Sequence, residues 1–323
     1  MMTDDTHVHP SEIKEEMHEL LCDYAADPDR DGVNGLRLLM ALAGVMVEAS
    51  FMFDEPHDSL DAMVQKLARR LMVFPSNIPV PAGLMPAAYI MDDISELGRD
   101  VARHVLKNMN DDPHDFADIV LDVVHHHVCV LESIDIPRDE SFRMLCEFST
   151  RSMVLEVAAQ ELCEVLLDHK IAIEKWSLGD CISALSGLSG YKVAVSYGSA
   201  SGQNRTRLMA QSKTFDHVAE VLTREAVRYG IAGGTDWRFG LPANDIKKEP
   251  PSILISGILP FCESFFRAVR AYDPVFQAVA CAKAAGRMLA VASGGELPEL
   301  SPVISKPLAL CSMTDSYRSI LMS

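Results

Sequence analysis

The chain has 323 residues and a net charge of −17, with 48% of residues hydrophobic and 23% charged, a balance that excludes a disordered, fibrous or disulfide-built protein. At about 100 to 200 residues per domain, two domains are expected. The strong acidity argues against nucleic acid or an anionic membrane as the main partner.

Residues 1–10, MMTDDTHVHP, read as a disordered tail. They lack the basic and apolar regions of a secretory signal, so a cytoplasmic location is expected. SEIKEEMHELLCDYA (11–25) reads as a helix with Ser11 as N-cap and acids in its first turn, ended by DPDRDG. Within it, EEMHE resembles the magnesium-holding EExxE element of the all-α nucleotide pyrophosphohydrolases. The ExxD element that family carries on the next helix is missing, because Glu48 is followed by Ala49, Ser50 and Phe51, so no membership follows.

Helices are expected over 33–53 and 58–73. Arg37 and Glu48 cut the uncharged core of the first well below the about 18 residues that a membrane span needs, which makes it a buried helix. FPSNIPVPAGLMP (74–86) contains four prolines and reads as an ordered loop. Helices resume over 89–109, 114–132, 139–149 and 150–174, so residues 11–175 are expected to form an acidic all-helical domain.

The remainder, 176–323, is expected to be a smaller α+β domain, and the fold class mainly α. KVAVSY (192–197) and TRLMAQS (206–212) alternate like paired strands around GSASGQNR, and SILIS (252–256) would be a third strand of a short antiparallel sheet. Helices are expected over 215–234, 260–272 and 273–293, followed by a polar, proline-spaced tail from Gly294. Ala278, Ala282 and Ala285 share one face of the last helix, which lets a neighbour approach closely. Residues 1–175 hold 34 acidic and 14 basic side chains, against 12 and 15 in 176–323. The boundary near 175 therefore separates a half of −20 from a half of +3, and copies of the chain could associate through the unlike halves.

Chemistry concentrates in DFADIVLDVVHHHVCVLE (115–132). Asp115, Asp118, Asp122, His125, His126, Cys129 and Glu132 fall within an arc of about 120°, while His127 lies among the apolar positions. The preferred reading is a wet face, with His125 and His126 toward solvent and His127 enclosed and hydrogen-bonded. In the alternative, Asp118, Asp122 and His126, at i, i+4 and i+8, ligate manganese, iron or zinc. Their partner groups would come from Glu15, Glu16, His18 and Glu19, or from Glu156, Glu161 and Glu164.

GSASGQNRTR (198–207) could cradle an anion through Ser199, Ser201, Asn204, Arg205 and Arg207, although the Walker lysine is absent. The eight cysteines include no CxxC pair and read as reduced core residues. The function expected is non-catalytic assembly, as a homo-oligomer or with a protein partner, and without a cofactor. The alternative is a metal-dependent hydrolase of a phosphorylated or nucleotide substrate, with Arg205 and Arg207 as phosphate contacts.

Overall fold

The computed structural model describes residues 9–26, 34–73, 88–107, 109, 112–134, 136–174, 176–198, 205–231, 251–293 and 302–321. Among them the helices are α1 (Pro10–Ala25), α2 (Gly35–Ser50), α3 (Pro56–Leu71), α4 (Ala88–Leu106), α5 (Pro113–Ser133) and α6 (Arg138–Val165). They continue with α7 (Leu178–Tyr197), α8 (Arg205–Arg228), α9 (Pro251–Ala268), α10 (Pro274–Ser293) and α11 (Pro302–Leu321). A π-helical stretch, Leu166–Ile173, directly extends α6, so the two helices expected over 139–174 are one element. Of the expected disordered tail 1–10, residues 1–8 lie outside the described residues, as does the proline loop at 74–86, while His9 and Pro10 already form the start of α1.

Local chemistry sets the helix starts. Asn34 Oδ1 accepts from the Leu36 and Arg37 amides at 3.1 and 3.2 Å, Asp112 caps α5 ahead of Pro113, and Ser177 and Asp180 form a capping box on α7. The cap of α1 differs from expectation. His9 takes that place, its Nδ1 accepting from the Ser11 amide at 3.3 Å, because Pro10 occupies the first helical position and moves the cap back by two residues.

The chain divides into two compact units, Met1–Met153 and Val154–Ser323, and the division falls within α6. The first unit holds 29 acidic and 12 basic side chains and the second 17 of each, so the whole net charge belongs to the first.

In the first unit α2 is buried almost throughout and meets α1, α3, α4 and α5. Its approach to α4 is the closest feature of the unit: a Cβ on Gly44 would lie 1.8 Å from the Ser95 carbonyl oxygen, and one on Gly98 1.8 Å from that of Ala41. Beside this crossing, Glu48 accepts from Arg99 Nε at 2.8 Å and Arg103 Nη2 at 2.7 Å, and Arg103 Nη1 reaches Glu96 at 3.1 Å.

In the second unit α7 is the spine, buried over most of its length, with α8, α9, α10 and α11 packed around it. Gly190 lets α11 in, since a Cβ there would fall 2.1 Å from the Met313 carbonyl oxygen. Ala278, Ala282 and Ala285 of α10 are fully buried, as a close-packing face requires. Among the described residues α10 is the one helix long and apolar enough to cross a membrane, and most of it is buried within the protein.

Among the described residues the expected antiparallel sheet is absent, and the three segments expected as strands are helical. Lys192–Tyr197 is the end of α7, where Val193 is buried and Val195 exposed, although both would face one side of a strand. Thr206–Ser212 opens α8, whose buried positions Gln211, Thr214 and Val218 follow helical spacing. Ser252–Ser256 lies in α9, where Leu254, Ile255, Ile258 and Cys262 are buried at a period near 3.6. Pro260 suggested a helix start, but it sits inside α9 on an exposed side. The polar tail is in part α11, whose residues Ser305 to Ala309 are buried despite Pro302 and Pro307.

Backbone contact at the α2–α4 crossing gives the first prediction. Gly98→Ala should destabilise the first unit by about 3 kcal/mol or more, beyond ordinary overpacking, because a carbonyl and not a flexible side chain blocks the methyl. Gln65→Ala, on the exposed face of α3, should change stability by less than about 0.5 kcal/mol. Chemical denaturation of both variants measures the difference.

Candidate functional site

The polar face of α5 is engaged by cations from two neighbouring helices. Asp122 accepts from Lys14 of α1 and from Arg70 Nη1 of α3 at 2.6 Å. Asp118 accepts from Lys66, with Arg70 Nη2 at 3.9 Å. Partial burial works to raise the Asp122 pKa, but the Lys14 and Arg70 charges and hydrogen bonds outweigh it and hold the carboxyl below its ordinary value. Asp118, Asp122 and His126 therefore share a face but not a common centre. Among the described residues no group of three or more His, Cys, Asp or Glu side chains is arranged to hold a metal ion.

Of the three adjacent histidines, His126 is exposed, His125 is half-buried and His127 is only 4% exposed. His125 Nε2 lies 3.8 Å from the Cys129 thiol. The partner of His127 is another ring: its Nε2 lies 3.0 Å from Nδ1 of His18 on α1. His126 approaches His18 edge-on, with ring centroids 4.6 Å apart. Burial, then the neighbouring His18 and His126, lowers His127 to about 3. Burial, His126 and Lys14 likewise lower His18. Helical spacing placed His127 in the interior, but nothing in a single sequence pairs position 18 with position 127.

Next to this face lies a groove of about 390 Å³ between α3 and α5, with Phe53, Met63, Ala117 and Leu121 in its lining. The Phe53 ring meets His114 at 5.2 Å between centroids, which joins the two walls at one end.

In the second unit the expected anion site is described only in part. Ser199, Ser201 and Asn204 lie outside the described residues, Arg205 begins α8, and the exposed Arg207 donates to the Tyr197 carbonyl at the end of α7. Sequence reasoning passed over the buried ion cluster of this unit. Glu156 accepts from Lys283 Nζ at 2.6 Å and Arg287 Nη2 at 2.5 Å, and Glu225 accepts from Arg287 Nε at 2.7 Å. Only the alanine-rich context of Lys283 and Arg287 hinted that these charges are internal. Burial pushes the Cys146 and Cys262 thiols up to about 12 and Cys163 to about 11, leaving them protonated and poor nucleophiles near neutral pH.

Comparison with protein-family models, curated proteins and solved structures finds no match.

The histidine contact predicts a pH dependence. The folded pKa of His127, about 3, is below its ordinary 6.5, so the unfolded chain takes up this proton first. Its contribution to stability is present above pH 6.5 and is lost as the pH falls below that value. The unfolding free energy should fall between about pH 7 and pH 5, with a slope approaching about 1.4 kcal/mol per pH unit for this one group, and the melting temperature with it. His127→Asn, which keeps a hydrogen-bonding side chain but does not titrate, should flatten the curve. A variant as steep as the wild type would refute the assignment.

Proposed function

We propose that this protein is a non-catalytic interaction protein that binds a protein partner or further copies of itself. One observation carries the reading: the side chains best suited to chemistry neutralise one another. Asp118 and Asp122 are held by Lys66, Arg70 and Lys14, and Glu156 and Glu225 by Lys283 and Arg287. Carboxylates so paired have little left to offer a metal or a proton in transit. The first unit carries the whole −17 and the second is neutral, so the second is the surface on which an acidic copy or partner meets the least repulsion.

Metal content tests this directly. The purified protein should hold no stoichiometric manganese, iron or zinc, chelator should not shift its melting, and His126→Ala should move the melting temperature by no more than about 2 °C. A chelator-sensitive wild type whose sensitivity vanishes in His126→Ala, together with metal-dependent turnover of a nucleotide or phosphorylated substrate, would establish the hydrolase instead.

Self-association through unlike charge has its own signature. The mass seen by light scattering should fall as salt rises from about 0.05 M to about 0.5 M, because screening shortens from over 10 Å to under 8 Å. A salt-insensitive oligomer would assign the contact to an apolar interface.

A further inference from the structure

The groove between α3 and α5 combines an apolar floor with acidic residues around one end. Phe53, Met63, Ala117 and Leu121 line it, with the exposed Ala62 on its wall. Asp58 lines it as well, and the exposed Asp54 and Glu55 follow Phe53 in the chain as the exposed Asp112 and Asp115 flank His114. The contact of Phe53 with His114 brings these two sets to the same end. Lys66, which also lines the groove, is paired with Asp118, so it does not offset them.

Helix termini explain part of this acidity. Asp112 caps α5, and Asp58 and Asp115 lie in first turns, where the helix dipole favours a negative charge. Asp54 lies outside those positions, and Glu55, the N-cap residue of α3, makes no capping bond. The excess is what an apolar groove needs if its occupant is positively charged. Two helices side by side also form the furrow into which a third helix lays its apolar face, with anchors at i, i+3, i+4 and i+7.

Resting on the interaction reading above, we infer that this groove is a docking site for a basic amphipathic helix of a partner protein. Leucine-like anchors sit on Met63, Ala117 and Leu121, and lysines or arginines along the flanks of the helix meet Asp58 and Asp115. The acidic end steers the approach and rejects acidic helices, while the apolar floor holds the complex.

The test uses the full chain and a fluorescein-labelled designed helix of leucine and lysine, about 18 residues or five turns long. A scrambled peptide of the same composition and a leucine–glutamate version serve as controls. The leucine–lysine helix should bind saturably at physiological salt, at least about tenfold more tightly than either control. Ala62→Lys and the double variant Asp58→Lys with Asp115→Lys should each weaken it by about tenfold or more, whereas Ala62→Glu should retain it. Glu12→Lys with Glu19→Lys, the same charge change on exposed positions of α1, should alter binding by less than about twofold.

Equal losses in the groove and α1 variants, or equal binding of the scrambled peptide, would reduce the effect to general acidity and overturn the site. If light scattering shows an oligomer that Ala62→Lys dissociates and the probe competes with, the occupant is a second copy, and the assignment to a partner's helix falls. Salt-sensitive self-association without probe binding would remove the groove and leave the interaction reading standing. Metal-dependent turnover would remove that reading whatever the probe does.

Discussion

Two helices in the first unit touch backbone to backbone, and the unit is built outward from that touch. Because neither Gly44 nor Gly98 carries a side chain, α2 and α4 come closer than any pair of larger residues would allow. The crossing also sets what lies beside it. Glu48 stands one turn beyond Gly44, opposite Arg99 and Arg103 that follow Gly98, so the glycine contact and the ion cluster share one register. Ser95, whose carbonyl faces Gly44, bonds through its hydroxyl to Ser152 of α6 at 2.8 Å. The remaining faces of α2 are left to α1, α3 and α5.

The second unit repeats the device with different parts. Gly286 of α10 lies where a Cβ would be 2.7 Å from the Leu222 carbonyl oxygen of α8. The next residue, Arg287, reaches Glu225, which lies three positions after Leu222. In both units a glycine permits the approach and the arginine following it meets a glutamate on the facing helix. Buried ion pairs add little net stability, since desolvation consumes most of the Coulombic gain, but a slip of one residue strands a charge in the interior. We read both clusters as register devices: apolar burial drives the association, and the charges select one alignment of the helices.

Where amphipathic spacing was clean, the helices of the first part were legible from sequence to within a few residues. The second part was misread for a physical reason. A helix buried on nearly every side, such as α7, has no polar face to set a period, so six residues such as Lys192–Tyr197 fit a strand as well as a helix. Prolines compounded the error at Pro260 and Pro307, where the helix continues through a residue that usually stops one. On α5 the apolar placement of His127 and the exposure of His126 were legible. Their partners were not, because Lys14, His18, Lys66 and Arg70 come from other helices, and amphipathic patterning fixes which way a residue faces, never whom it meets.

The contact between His18 and His127 carries a consequence for the rings themselves. Between Nδ1 of one and Nε2 of the other, 3.0 Å apart, there is room for a single hydrogen. A neutral imidazole has one N–H and one bare nitrogen, so the two tautomers are complementary. If His18 holds the shared hydrogen, its own Nε2 is bare and Nδ1 of His127 is a donor; if His127 holds it, both outer roles reverse. Two helices far apart in the chain are thereby joined by a one-bit coupling. A group that demands a donor at the outer nitrogen of one ring dictates an acceptor at the outer nitrogen of the other, with no backbone atom moving.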